Sequence, residues 1–216
     1  MPLPGFVNWP AAGDTKSVVE AIDWFLDEES ETRRTFPIGP RVDRQGSFRA
    51  ILFTDLVGHT EMMSRLGDER GRAVLREHER ITREVLKAHG GTEVKTMGDG
   101  FMASFGSVTR AVECGIAVQR AFAERNSSAP EALEGLSVRV GLNAGEPIEE
   151  DGDLFGATVI LASRIAAKAE GGDILVADTV RGLCSGKGFL FADRGDFVAK
   201  GFEEPVRVYE VRWRER

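Results

Sequence analysis

The chain has 216 residues, enough for one ordinary domain plus a remainder or for one large domain. Its 42% hydrophobic and 29% charged residues are those of a soluble globular protein, which excludes disorder as the main state. A net charge of −7 is a poor electrostatic match for a nucleic-acid backbone, so no nucleic-acid partner is expected.

In chain order, residues 2–13 are rich in Pro and Gly. Residues 14–29 carry Val18, Ala21, Ile22, Phe25 and Leu26 at the spacing of one helical face, with Ser17 and Glu20 spaced as a capping box. Residues 35–47 hold two prolines, two glycines and no period, and read as a linker. From residue 48 the texture changes. RAILFTDL reads as a buried strand. Residues 60–89 read as a helix with Val74, Ile81 and Val85 on one stripe and Gly90-Gly91 as the stop. TEVKTM and FMASF are two short strands joined at Gly98-Asp99-Gly100. Residues 108–125 form a second helical pattern, with Val108, Ala111, Val112, Gly115, Ile116, Gln119 and Phe122 on one side. SVRVGLNAG alternates, placing Val138, Val140, Leu142 and Ala144 on one face. A third helix, ATVILASRIAAKAE, runs to Gly171-Gly172. DILVAD (strand), TVRGLC (short helix) and the strands FLFADRGDFVAKG and PVRVYEVRW complete the chain.

This order predicts an α+β fold: a ferredoxin-like βαββαβ core with a C-terminal α/β extension, preceded by one N-terminal helix. The expected organisation is an N-terminal segment over 1–34, a linker over 35–47 and a domain over 48–216. Cys114 and Cys184 fall in helical patterns and read as small core residues. With His59, His78 and His89 they do not make the spacing of a zinc site. His78 and His89 fall on polar helix positions and receive no role. No apolar run approaches the ~18 residues of a membrane span, and no secretory signal begins the chain. The expected location is the cytoplasm. The 25 glycines, about 12% against a usual ~7%, point to turns and to backbone approaches to a ligand.

Two carboxylates stand out. Asp55 ends an otherwise apolar strand, and Asp99 sits in the hairpin turn between two glycines. Brought together from adjacent strands, they suit a hard divalent cation, Mg²⁺ or Mn²⁺. The alternative is that Asp99 only forms the turn and Asp55 only caps the following helix. Residues 56–60 lead into a helix start, where backbone N–H groups bind phosphate. No Walker A loop and no GxGxxG after a strand is present.

ILFTDLVGHTEM, EVKTMGDGFMASF, VRVGLNAGE, DLFGATVILASR and VAKGFEEPVRVYEV resemble, in order and spacing, the class III nucleotidyl cyclase catalytic domain over about residues 48–213. The resemblance implies an adenylate cyclase forming 3′,5′-cyclic AMP and pyrophosphate from ATP. It implies two metal ions, held by Asp55, Asp99 and the backbone carbonyl of Leu56. Lys95 and Asp153 would read the adenine. Arg164 would stabilise the transition state. Lys200 and the loop of Gly58, His59 and Thr60 would hold the triphosphate. The implied assembly is a head-to-tail homodimer with composite sites, one chain supplying the metals and the other the base recognition and the arginine. A Lys donor and an Asp acceptor complement N1 and N6 of adenine, whereas guanine needs the reverse polarity.

One position departs from the family pattern. Ile160 stands where an Asn usually precedes the Arg by four residues, one helical turn from Arg164. Isoleucine cannot orient a ribose oxygen, so the expectation is a slow enzyme. A non-catalytic nucleotide-binding regulator and a GTP-using cyclase are the alternatives. His59 stands where the family more often has a small residue, and both a phosphate contact and a solvent-facing loop position are open to it. Phe53 and Phe101 read as strand packing, with a base pocket as the other use. Residues 5–28 resemble the closing segment of an α/β-hydrolase domain. Their apolar face, with Trp24, Phe25 and Leu26, would either dock a regulatory domain or partner, or pack on its own domain.

Overall fold

In the computed structural model, which describes residues 47–128 and 135–215, RAILFTDL becomes β1 (Arg49–Leu56). The chain continues through α1 (His59–Ala88), β2 (Thr92–Met97), β3 (Gly100–Phe105), α2 (Val108–Ser128) and β4 (Val138–Gly145). Then follow β5 (Ile148–Glu150), β6 (Asp153–Phe155), α3 (Ala157–Lys168), β7 (Ile174–Ala177), α4 (Asp178–Leu183), β8 (Phe191–Phe197) and β9 (Val206–Val211). The helix expected over 14–29, the hydrolase-like resemblance over 5–28 and the linker up to residue 46 lie outside the described residues.

β1 pairs antiparallel with both β3 and β4, and β2 pairs antiparallel with β3. The resulting order β2-β3-β1-β4 is that of the expected βαββαβ core. β7 joins β4 in parallel, and β9 and β8 extend the sheet to seven strands. The α+β class therefore holds. The short β5–β6 hairpin forms a separate two-stranded sheet that the sequence reading did not contain. Strands of three residues are too brief for a visible alternation.

Both faces of the central strands are covered, while the edge strands β2 and β8 are part-buried or exposed. Ala50, Leu52 and Leu56 of β1 point into a core shared with α1, α2 and α4. Ile51 and Phe53 point to the other face, against Leu154 of the hairpin and Ala162 and Ala166 of α3. A central strand buried on both faces reads as a continuous apolar run, which is why the pattern was legible. Cys114 and Cys184 are buried as expected, and burial pushes the Cys114 thiol up to about 12. Phe53 and Phe101 pack in the interior.

α3 lies directly on β4. A Cβ at Gly141 would fall 2.2 Å from the backbone nitrogen of Ala166, so only glycine permits this approach. The contact sets the height of α3, which carries Ile160 and Arg164, above the sheet.

Two details of α1 differ from expectation. The helix is interrupted at Gly67, where the backbone leaves helical geometry, N-terminal to the stripe that begins at Val74. Its buried line runs through Val74, His78, Ile81, Thr82 and Leu86, while Val85 is only partly buried. His78, read as a polar position, is fully buried, stacked on Phe122 at 5.3 Å and tilted against Phe101 at 5.9 Å. His78 stands four residues after Val74 and three before Ile81, on the same apolar stripe, although its sequence neighbours Glu77 and Glu79 are charged.

Candidate active site

Asp55 lies one residue before the end of β1, and Asp99 sits in the turn between β2 and β3. Because β1 and β3 are neighbours, with Thr54 opposite Phe101, the two carboxylates meet at one end of the sheet. Gly100 permits the convergence: a Cβ there would lie 2.9 Å from the Thr54 carbonyl oxygen and 3.6 Å from Asp55 Oδ1. Asp99 is 4% exposed, and its Oδ2 is buried with no hydrogen-bond partner. Burial, and then the charge of Asp55, push its carboxyl up to about 6, against the opposing pull of His59 and the backbone N–H groups of Asp99 and Leu56.

His59 is not in a solvent-facing loop. It is the first residue of α1, its side chain 11% exposed, with Nδ1 3.5 Å from Asp99 Oδ1 and Nε2 buried without a partner. The helix starts one residue earlier than the pattern suggested. Gly58 before it adopts φ 72°, and Thr60 after it is exposed.

Asp55 has a partner that sequence reasoning missed. Arg139 of β4 stands opposite it in register, and its Nε donates to Asp55 Oδ2 at 2.8 Å, joined by a second N–H from the same guanidinium. A third donates to the Ala167 carbonyl of α3 at 3.2 Å. Arg139 takes the alternate position between Val138 and Val140, so the strand pattern sets it on the other face from them without naming its counter-charge.

A second polar pair forms between β2 and the hairpin. Lys95 Nζ donates to Asp153 Oδ2 at 2.6 Å, across 58 positions of sequence. A register shift between Glu93 and Lys95 marks a bulge in β2 at this point. Asp153 Oδ1 accepts the backbone N–H of Leu154 at 2.7 Å. Asp153 is the first residue of β6.

Arg164 lies on α3, partly buried, one turn after Ile160. Lys200 is exposed in the turn between β8 and β9. Among the described residues, no three or more His, Cys, Asp or Glu side chains gather into a metal-holding cluster. A cation at Asp55 and Asp99 would thus draw its remaining ligands from backbone carbonyl, water and substrate phosphate, the usual pattern for Mg²⁺. Asp99's buried unpartnered oxygen and raised pKa both call for a positive charge there, so the residues present fit such an ion. No helix among the described residues is long and apolar enough to cross a membrane.

Residues 45–212 match the family model described as the adenylate and guanylate cyclase catalytic domain. A putative adenylate cyclase 3 of Rhizobium meliloti is 34% identical over 161 residues, which is 74% of this chain; the chain spans 27% of that relative's length. The solved adenylate/guanylate cyclase/hydrolase from Silicibacter pomeroyi superposes with TM-score 0.68 at 31% identity, over 76% of this chain and 95% of that one. The adenylyl cyclase CyaB from P. aeruginosa gives TM-score 0.67 at 25% identity, over 76% and 93%.

Proposed function

The chain belongs to the family of adenylate and guanylate cyclase catalytic domains, and from that premise we propose that it converts ATP to 3′,5′-cyclic AMP and pyrophosphate. The observation that carries the choice of ATP is the Lys95–Asp153 pair, a donor and an acceptor held side by side at 2.6 Å. N1 of adenine accepts and its 6-amino group donates, which suits this pair; the corresponding edge of guanine has the opposite polarity.

In the reaction the ribose 3′-oxygen bonds to the α-phosphorus, the bond from that phosphorus to the bridging oxygen breaks, and pyrophosphate leaves. Asp55 and Asp99, with the Leu56 carbonyl, are the groups to hold Mg²⁺ or Mn²⁺, two ions per site. When bound, such ions lower the pKa of a hydroxyl and neutralise phosphate charge. The start of α1, at Gly58, His59 and Thr60, offers backbone N–H groups to phosphate oxygens. Lys200 adds a cation for the triphosphate. Arg164 stabilises the charge that develops on the α-phosphoryl oxygens. Two copies, head to tail, complete each site by combining the carboxylates of one with Lys95, Asp153 and Arg164 of the other.

Ile160 removes a polar contact beside Arg164. Loss of one transition-state donor costs roughly 10²–10³ in rate at comparable sites, so turnover is slow. The same isoleucine favours a second reading, a nucleotide-binding regulator without catalysis. The test is to incubate the full chain with Mn²⁺ or Mg²⁺ and with ATP or GTP, measuring cyclic product against Asp55→Ala. Cyclic AMP from the wild type and none from the variant is expected. Nucleotide binding without product leaves the regulator, and a preference for GTP overturns the assignment of Lys95 and Asp153.

A further inference from the structure

The β5–β6 hairpin presents a large apolar side chain that its own packing does not require. Leu154 turns inward and is 5% exposed, whereas Phe155 is 41% exposed. Strand alternation puts Phe155 on the same side of β6 as Asp153. Both meet one group: Lys95 Nζ lies 2.6 Å from Asp153 Oδ2 and 5.4 Å from the centre of the Phe155 ring. Ile148, directly opposite Phe155 on β5 and also half exposed, flanks the ring on that face.

We propose that Phe155 is a positioning residue for purine recognition: its ring and the Asp153 carboxylate together aim the Lys95 ammonium so that its remaining N–H faces the base. An ammonium has three N–H donors on a flexible four-carbon stem. Asp153 accepts one. The electron-rich face of Phe155 attracts the cation and takes up a second direction. The third is left for the N1 acceptor of adenine. Without the ring, the stem regains rotamers that point the ammonium into solvent, and the site must reorder it for each substrate.

This inference rests on the adenine-reading role of Lys95 proposed above, and the tests keep the two apart. In the cyclase assay, Phe155→Leu raises KM for ATP roughly three-fold with kcat within two-fold, the size expected of a partly exposed cation–π contact. Phe155→Trp keeps the wild-type KM. In a Lys95→Ala background, Phe155→Leu changes nothing further. An unchanged KM in Phe155→Leu, or an equal effect with and without Lys95, overturns the proposal. A wild type that forms no cyclic nucleotide overturns the functional reading instead. The geometry is then read in the nucleotide-free protein by NMR. The ring current of Phe155 shifts the Lys95 ε-methylene protons upfield, and Phe155→Leu abolishes that shift. Absence of the shift in the wild type overturns the positioning role whatever the activity.

Discussion

Replacing His78 by leucine tests how strongly the core holds a neutral imidazole. The ring is fully buried between Phe101 and Phe122, and neither nitrogen has a hydrogen-bond partner. Burial is the main cause that lowers its pKa from 6.5 to about 4; Glu79 opposes the shift, and His59 and Arg83 add to it. The sign follows from linkage. Above pH 6.5 the histidine is neutral in both folded and unfolded chains and contributes no pH dependence. As pH falls from 6.5 toward 4, the unfolded chain binds a proton that the folded chain refuses, so stability is lost. A displacement of about 2.5 pH units corresponds to about 3 kcal/mol when complete, a large part of a typical total of ~5–15 kcal/mol. Leucine is similar in size, cannot titrate, and removes two unsatisfied polar atoms, so His78→Leu is neutral or mildly stabilising at pH 7.5. Urea unfolding of both proteins at pH 7.5 and 4.5 is the assay. The wild type should lose about 2–3 kcal/mol more than the variant between those values, other titrating groups cancelling in the comparison. A gap between the two proteins that does not change with pH refutes the burial argument.

Asp99 should behave in the opposite sense. Its folded pKa of about 6 lies above the ordinary 3.8, so its ionisation costs stability as pH rises through that window. Without divalent ions at pH 7.5, Asp99→Asn should raise stability by about 1–3 kcal/mol while abolishing cyclase activity; a destabilised variant in thermal or urea unfolding contradicts the burial and like-charge account. Ile160→Asn should raise kcat at least ~10-fold, part of the loss attributed to the missing donor; an unchanged or lower rate in a folded variant ends that explanation. Gly141→Ala forces a methyl to within 2.2 Å of the Ala166 backbone, so α3 must lift. It should cost about 1–3 kcal/mol or more in urea unfolding and also reduce turnover through Arg164, and a variant matching the wild type in both shows that α3 placement is not critical.

Most of the order of elements was readable from length and local pattern. VRVGLNAG alternated at the strand period, RAILFTDL was an apolar run too short for a helix, and the stripe from Val108 to Phe122 kept helical spacing for about four turns. The β5–β6 hairpin escaped because three-residue strands have no period to read. The interruption of α1 at Gly67 escaped because the stripe used to identify the helix began later. At the site, Asp55 and Asp99 were legible as carboxylates placed against apolar and glycine neighbours. His59 and Arg139 were legible only as residue types, since their partners come from other elements.

The sequence alone determined the longer strands and helices, though not the β5–β6 hairpin, and it carried the five motifs that place the chain in its family. Those follow from local periodicity and from residue order, which do not depend on how elements pack. The tertiary structure decided which charges meet. Asp55 finds Arg139 across 84 positions, and Lys95 finds Asp153 across 58. It also decided that His59 faces Asp99. Such pairings depend on strand register and helix docking, where a shift of one residue turns a side chain to the opposite face, so no local pattern can encode them.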